Sequence, residues 1–151
     1  LTPQVRTAMR ALGFGGVASY AVLRGERASD RTKNTRPAFL VSVPNQAQAE
    51  SYLTLASFAV RRNNSREVMI GGGYMSYSSG ITADRNIAVV SEKAADQSKA
   101  QKGFTIHKVT PKLPLETGEY AVILYTGEMR GLVSAWFTST GNSYFDFGID
   151  P

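Results

Sequence analysis

The chain has 151 residues, of which 42% are hydrophobic and 10% aromatic, and it contains no cysteine. This length and composition suit one globular domain with its own core and exclude a disordered chain, while the lack of thiols excludes disulfides, thiolate metal sites and cysteine nucleophiles. No apolar run approaches the roughly 18 residues that span a bilayer as a helix. Because the sequence begins at Leu1 instead of Met, we expect a processed product or an excised fragment, from which any signal peptide has been removed.

The net charge of +5 is concentrated in the first 36 residues. That stretch holds only two acidic residues, Glu26 and Asp30, and seven basic ones: Arg6, Arg10, Arg24, Arg27, Arg31, Lys33 and Arg36. A solvated basic surface is the simplest interpretation, and contact with an acidic surface or a neighbouring subunit is the alternative. Nucleic acid is not a predicted partner, because only Tyr20 interleaves an aromatic ring with these charges.

The N-terminal segment has the pattern of a short helix or arm. Thr2 and Pro3 suit the start of a helix over residues 4–12, and Val5, Ala8, Met9 and Leu12 then share one face at helical spacing. We expect these four residues, with Arg6 and Arg10, to form an interface, packed either on the same chain or on another subunit. Glycines at 13, 15 and 16 supply a joint, which divides the chain into an arm (1–16) and a domain (17–151).

The rest of the chain reads as short strands separated by turn residues. We predict an all-β fold, an antiparallel Ig-like β-sandwich of about seven to nine strands, with a barrel as the alternative. The predicted strands are Val17–Arg24, Pro37–Pro44, Tyr52–Arg61, Arg66–Ile70, Ile87–Val90, Phe104–Thr110, Tyr120–Tyr125, Leu132–Thr138 and Tyr144–Ile149.

Two turns predict hairpins. The segment 62–65 links the strands that flank it, and the segment 138–143 would pair Trp136 and Phe137 with Phe145 and Phe147. Strand alternation places Phe39, Val41 and Val43 on one inward face, and it places Phe145 and Phe147 inward with Asp146 outward.

The residues that could carry chemistry are isolated from one another. His107 is the one histidine, and alternation with Phe104 and Ile106 predicts that it points outward. A lone histidine forms neither a zinc cluster nor a Ser/His/Asp triad without partners. Glu116, Glu119 and Glu128 follow turns and are expected to be solvated. The sequence therefore predicts no catalytic residue, no cofactor site and no metal site.

One loop has the composition of a binding loop. Tyr74, Met75 and Tyr77 lie between Gly71–Gly73 and a Ser-Ser-Gly turn. Aromatic side chains on such a loop suit stacking on a sugar or contact with a protein. The alternative is a loop folded over the sheet edge, burying its own aromatic residues.

Three short motifs carry a resemblance. They are Ser-Arg-Glu-Val at 65–68, Leu-x-x-Gly-Glu-Tyr-Ala at 115–121 and Phe-Asp-Phe-Gly at 145–148. With them, residues from about 22 to 150 resemble a loose group of uncharacterised, often exported bacterial β-rich domains. The resemblance implies an extracytoplasmic β-domain and carries no catalytic residues. The motifs suggest folding roles, including a turn at Gly118 and an ion pair between Glu119 and Arg66.

These observations favour two hypotheses. The first is a non-enzymatic structural domain, secreted, periplasmic or on the cell surface, that assembles with copies of itself, as an oligomer or filament, or with another surface protein through residues 1–16. The second is a module that binds a glycan or small ligand through the Tyr74–Tyr77 loop, with Trp136 as a further contact.

Overall fold

The computed structural model describes residues 4–9, 17–73, 78–79, 81, 83–125 and 142–151. These residues form twelve strands and one helical turn. The strands are β1 (Gln4–Met9), β2 (Val17–Arg24), β3 (Arg31–Thr32), β4 (Phe39–Pro44), β5 (Leu53–Arg61), β6 (Ser65–Gly73), β7 (Ser78–Ser79), β8 (Asn86–Ile87), β9 (Val89–Lys93), β10 (Phe104–Pro111), β11 (Gly118–Tyr125) and β12 (Asn142–Ile149); the helical turn is α1 (Ala49–Tyr52).

Two sheets contain all twelve strands. The larger sheet has the order β1-β2-β6-β5-β11-β12-β3, with β7 beside β6 and β8 beside β5, and the smaller sheet has the order β4-β10-β9. Among the described pairings only β3 with β12 is parallel. The predicted antiparallel β-sandwich is confirmed. The strand count exceeds the prediction because pieces of two residues, such as β3 and β8, are too short to leave a pattern in the sequence.

The sandwich core lies between the two sheets. Val41, Val43 and Val109 of the smaller sheet pack with Leu53 of the larger one. Phe39 joins this cluster to a second, which contains Tyr120 and Phe147 among others. The predicted inward face of β4 is therefore confirmed, and strand alternation explains it.

The larger sheet buries its other face as well. Within β11, Ala121 and Ile123 belong to a third apolar cluster, whereas Tyr120 and Val122 face the smaller sheet. The third cluster also contains Leu23 of β2. It includes Tyr144 of β12, although three strands separate β2 from β12 in the sheet. Side chains so far apart in strand order meet only if the sheet curls around them.

The connection from β2 to β3 shows the same curl. Five strand-to-strand steps separate these two strands, about 24 Å in a flat sheet at roughly 4.8 Å a step. The connecting residues 25–30 reach about 20–25 Å only when fully extended. They instead contain a left-handed glycine, Gly25, with φ of 82°. The segment 25–30 therefore crosses the open end of a curled sheet, and no described pairing joins β1 to β3 to close a barrel.

The predicted N-terminal helix is wrong. Residues 4–9 form β1, which pairs antiparallel with β2 from Gln4↔Val22 to Met9↔Val17. A helix of about ten residues is marginal in water, whereas the edge of β2 offers a complete ladder of backbone hydrogen bonds. The helical face predicted from Val5, Ala8 and Met9 therefore does not form, and Leu12 lies outside the described residues. The boundary at residue 16 between arm and domain stays a prediction.

The hairpin between β5 and β6 is confirmed, with Arg61 paired to Ser65. Asn64 holds the turn in the left-handed region, with φ of 58°, where asparagine is tolerated better than most residues. Its side chain also accepts a hydrogen bond from the Glu26 amide at 3.1 Å, and the Gly25 amide donates to its carbonyl at 2.9 Å. This turn therefore anchors the start of the segment 25–30.

Because Asn64 combines a left-handed backbone with a side-chain acceptor, we expect Asn64→Ala to lower the free energy of unfolding by about 1–2 kcal/mol. Asn64→Gly keeps the backbone and loses only the hydrogen bond, so it should cost less. Arg62→Ala, at an exposed position of the same turn, is the control, with an expected change below about 0.5 kcal/mol. Urea unfolding measures all three, and a larger loss for Gly than for Ala would contradict the assignment.

Candidate functional site

Arg66 of β6 is the most buried charged residue of the described chain, at 2% exposure. Its Nη1 donates to Asp146 Oδ2 at 2.7 Å and to Glu119 Oε2 at 3.4 Å. Nε and Nη2 donate to the carbonyl oxygens of Gly25 and Arg24, at 3.0 and 3.1 Å. One guanidinium therefore connects β6, β11 and β12 with the segment that leaves β2.

Glu119 is the second centre of this cluster and is 6% exposed. Its Oε2 accepts the Ala28 amide at 2.7 Å, and its Oε1 accepts Arg31 Nη1 at 2.8 Å. Ala28 is itself buried. The carboxylate thereby satisfies a backbone donor of the segment 25–30 that would otherwise be buried without a partner, which is costly.

Asp150 extends the cluster toward solvent. It accepts Arg31 Nη2 at 2.7 Å and Arg27 Nη2 at 2.9 Å. Arg31 lies over Gly148, where an added Cβ would overlap its guanidinium. A side chain at the glycine of the Phe-Asp-Phe-Gly motif would therefore displace the Arg31 guanidinium from its contacts with Glu119 and Asp150.

We call Arg27, Arg31, Arg66, Glu119, Asp146 and Asp150 the charge cluster. Its three guanidinium groups balance three carboxylates, and each carboxylate contacts at least one arginine. The hydrogen bonds from Arg31 hold the pKa of Asp150 below its ordinary value, and those from Asp150 and Glu119 raise the pKa of Arg31. Such a closed arrangement holds chain segments together, and each group that could move a proton is already engaged.

Half of the charge cluster comes from the three motifs noted in the sequence, which contribute Arg66, Glu119 and Asp146. The predicted ion pair between Glu119 and Arg66 is confirmed. The prediction that Glu119 is solvated is wrong, although Glu116 is exposed as expected. The sequence did contain a signal for the burial of Glu119. By strand alternation its side chain lies on the same face as those of Ala121 and Ile123, both of which are buried. Glu128 lies outside the described residues.

The predicted orientations in β12 are partly wrong. Phe147 is buried as expected, but Phe145 is 57% exposed. Asp146 does not point to solvent; its side chain is 10% exposed and pairs with Arg66. The reason is that the side of β12 opposite Phe147 is itself a core face, since Tyr144 on that side is buried. The pairing of Trp136 and Phe137 with Phe145 and Phe147 falls outside the described residues, and β12 pairs with β11 and β3.

The predicted outward orientation of His107 is also wrong. His107 is opposite Val41 in the ladder of β10 with β4, and Val41 is a core residue. The imidazole is half-buried, with Nδ1 3.1 Å from Ser91 Oγ. No described carboxylate contacts this pair, so the triad geometry is not assembled. Within the described ranges no group of three or more acidic, histidine or cysteine side chains could hold a metal ion.

The open groove beside Leu113 is a further concave surface. It has a volume of about 520 Å³ and lies between residues 85–88 and 112–120. Leu113 is 70% exposed on its rim. Two polar side chains of its wall are already used within the protein, since the Tyr120 hydroxyl donates to the Glu116 carbonyl at 2.9 Å and Glu119 belongs to the charge cluster.

The predicted interface residues lie partly on β1, the terminal strand of the larger sheet. Val5, Arg6, Ala8 and Met9 are in β1, whereas Arg10 and Leu12 fall outside the described residues. On one side β1 pairs with β2, and no described strand pairs with its other side. The ligand loop with Tyr74, Met75 and Tyr77, and Trp136, also fall outside the described residues.

Comparisons with known proteins found no matching protein family, no matching curated protein and no matching solved structure. The resemblance to exported bacterial domains stays a prediction. No helix in the described part of the chain is long and apolar enough to cross a membrane.

Because Glu119 is buried among arginines, we expect Glu119→Gln to lower the free energy of unfolding by about 3–5 kcal/mol, since the change leaves three guanidinium groups with two carboxylates and thus an uncompensated positive charge at a buried site. Glu92→Gln is the matched control. Glu92 pairs with Lys108 at 3.1 Å, but its side chain is 64% exposed, and an exposed pair contributes at most about 1 kcal/mol. Chemical unfolding measures both, and equal losses would show that the cluster does not stabilise the fold through its charge balance.

The charge cluster also predicts acid sensitivity. The folded state holds the pKa of Asp150 below its ordinary value of 3.8, so the stabilisation is complete above that value and is lost as the pH falls through the folded pKa. We expect the stability difference between the wild type and Asp150→Asn to be constant from pH 7 to 5 and to shrink below about pH 4. Urea unfolding across this range measures it, and a difference at pH 2.5 as large as that at pH 7 would refute the coupling.

Proposed function

We propose that this chain is a non-enzymatic structural domain that acts by protein–protein contact, as a subunit of a bacterial cell-surface or extracellular assembly. The contact is made through its N-terminal strand. The extracytoplasmic setting belongs to the proposal and is supported by the cysteine-free composition, which avoids stray oxidation, and by the resemblance to exported domains.

The observation that carries this proposal is the position of β1. It is the terminal strand of the larger sheet and is paired with β2 alone among the described strands. A terminal strand presents a row of backbone donors and acceptors, and such edges recruit further strands unless they are covered. Backbone hydrogen bonds of this terminal strand, either at its outer edge or in its ladder with β2, can therefore join one subunit to another without any specialised pocket.

The charge cluster supports a structural role. It fixes the segment 25–30 across the curled sheet through Arg66 and Glu119, both buried. The domain next to β1 is therefore held by its core and by internal ion pairs. In this proposal the rigid domain is the body of the subunit and β1 is the contact element.

The distribution of basic residues is consistent with the same role. Arg27 and Arg31 are paired with carboxylates in the charge cluster. Residues 1–16 contain Arg6 and Arg10 and no acidic residue. The arm therefore has a positive charge that the cluster does not neutralise.

We expect the full chain to form an oligomer and a chain of residues 17–151 to be a monomer of correspondingly lower mass, because the contact strand is missing. Light scattering and sedimentation measure the particle mass, and circular dichroism confirms that both chains remain β-folded. Thr7→Pro is a second test, since proline in the middle of β1 removes one backbone donor of that strand, and we expect it to lower the particle mass as the truncation does.

Glu92→Gln, on the smaller sheet, is the control for these particle measurements and should assemble like the wild type. A full-length chain that stays a 16.4 kDa monomer at high concentration would rule the proposal out. So would an oligomer that survives the loss of residues 1–16 with unchanged mass.

A further inference from the structure

We propose that the partner of β1 is a second copy of this chain, and that copies exchange β1, each placing its strand beside β2 of another. This inference rests on the proposed function, which requires only that β1 makes the contact. Exchange specifies both the partner and the surface that it uses. The surface is the edge of β2 that β1 occupies in the structure.

The strands β1 and β2 are held very differently. The pairing with β2 from Gln4 to Met9 is the one described strand pairing of β1. In contrast, β2 pairs with β6 along its whole length, from Val17↔Gly73 to Arg24↔Ser65. Ala21 and Leu23 are also buried in the core, at 0% and 2% exposure. If β1 detaches, β2 therefore stays in place beside β6. Its exposed edge can then pair with β1 of another copy in the same register.

Charge also favours exchange. Direct addition of a second β1 to the outer edge of the first would bring together two arms that each carry Arg6 and Arg10 and no acidic residue, and like charges on neighbouring strands repel. Exchange recreates the ladder from Gln4↔Val22 to Met9↔Val17 between chains and does not require the two arms to pair with each other. Exchange of an identical element is in general a low-cost route to oligomers.

The connection between β1 and β2 is long enough for exchange. Residues 10–16 join the two strands and include glycines at 13, 15 and 16. Seven residues reach roughly 23–25 Å when extended, which spans the distance to β2 of the same chain or of an adjacent one. The length therefore permits both arrangements, and the cross-linking test distinguishes them.

The test uses the absence of native cysteines. Thr7 and Ser19 are ladder partners, as are Ala8 and Ala18, and Cα atoms of antiparallel partners lie about 4.5–5.5 Å apart, within the range of a disulfide. Two double-cysteine variants are made, Thr7→Cys/Ser19→Cys and Ala8→Cys/Ala18→Cys. Each variant is allowed to form its native oligomer, is then oxidised, and is run on a denaturing gel without reductant. Two adjacent pairs are used so that a fold defect in one variant does not decide the outcome.

The control pair is Glu92→Cys/Lys108→Cys, which joins partners in β9 and β10 and forms a bond within one chain under either arrangement. Exchange predicts that the β1–β2 pairs cross-link separate chains, giving at least twice the 16.4 kDa chain mass. The control stays at the chain mass. Mixing a Thr7→Cys chain with a Ser19→Cys chain should give the same product after unfolding and refolding together.

The other outcomes overturn the exchange and separate it from the proposed function. Disulfides within one chain, in a particle that light scattering shows to be an oligomer, would mean that β1 makes contact without being exchanged. Disulfides within one chain in a monomeric particle would refute both proposals. Failure of both pairs to oxidise, while the control pair does, would show that β1 does not lie beside β2 of any copy.

Discussion

The buried contact between Arg66 and Glu119 is the constraint on which much of this structure depends. A guanidinium at 2% exposure is tolerated only when its charge is balanced and its donors are used. Both conditions are met by Glu119, Asp146 and two backbone carbonyls of the strand end near Gly25. The contact thus decides where the segment 25–30 runs, and that segment brings Arg31 and β3 to the far side of the sheet.

The charge cluster depends on the curl of the larger sheet. Only a curled sheet brings β6 and β12 close enough for one arginine to contact both, and the cluster in turn covers the open end of the curl with satisfied polar groups. The apolar cluster of Ala121 and Tyr144 lies along the same face. Core and cluster together give β11 and β12 two buried faces, which is unusual for strands in an antiparallel sandwich.

Sequence reasoning identified the fold class, the β5–β6 hairpin and the Arg66–Glu119 pair, because strand periodicity, turn residues and a charge in phase with apolar neighbours are local signals. It failed where the burial of a side chain depends on residues that are distant in the sequence. Asp146 and His107 were assigned to solvent on the assumption that one face of each strand is exposed, and the packing of β12 and β10 contradicts that. The N-terminal helix failed because the edge of β2 overrode a weak helical pattern. No local pattern could reveal the curl.

The sequence separation of the ion pairs has a consequence for how the chain folds. Arg27 and Arg31 are 123 and 119 residues from their partner Asp150, and Arg66 is 53 and 80 residues from Glu119 and Asp146. Contacts between residues so far apart in the sequence form slowly and late in folding. During synthesis, Arg66 and Arg31 therefore remain without their carboxylate partners until β11 and β12 have been made. The polar groups at that end of the sheet are unpaired until then. Folding intermediates that hold the β5–β6 hairpin but lack β12 would expose charged groups and unpaired strand edges together, and this stage is where misassembly between chains would begin.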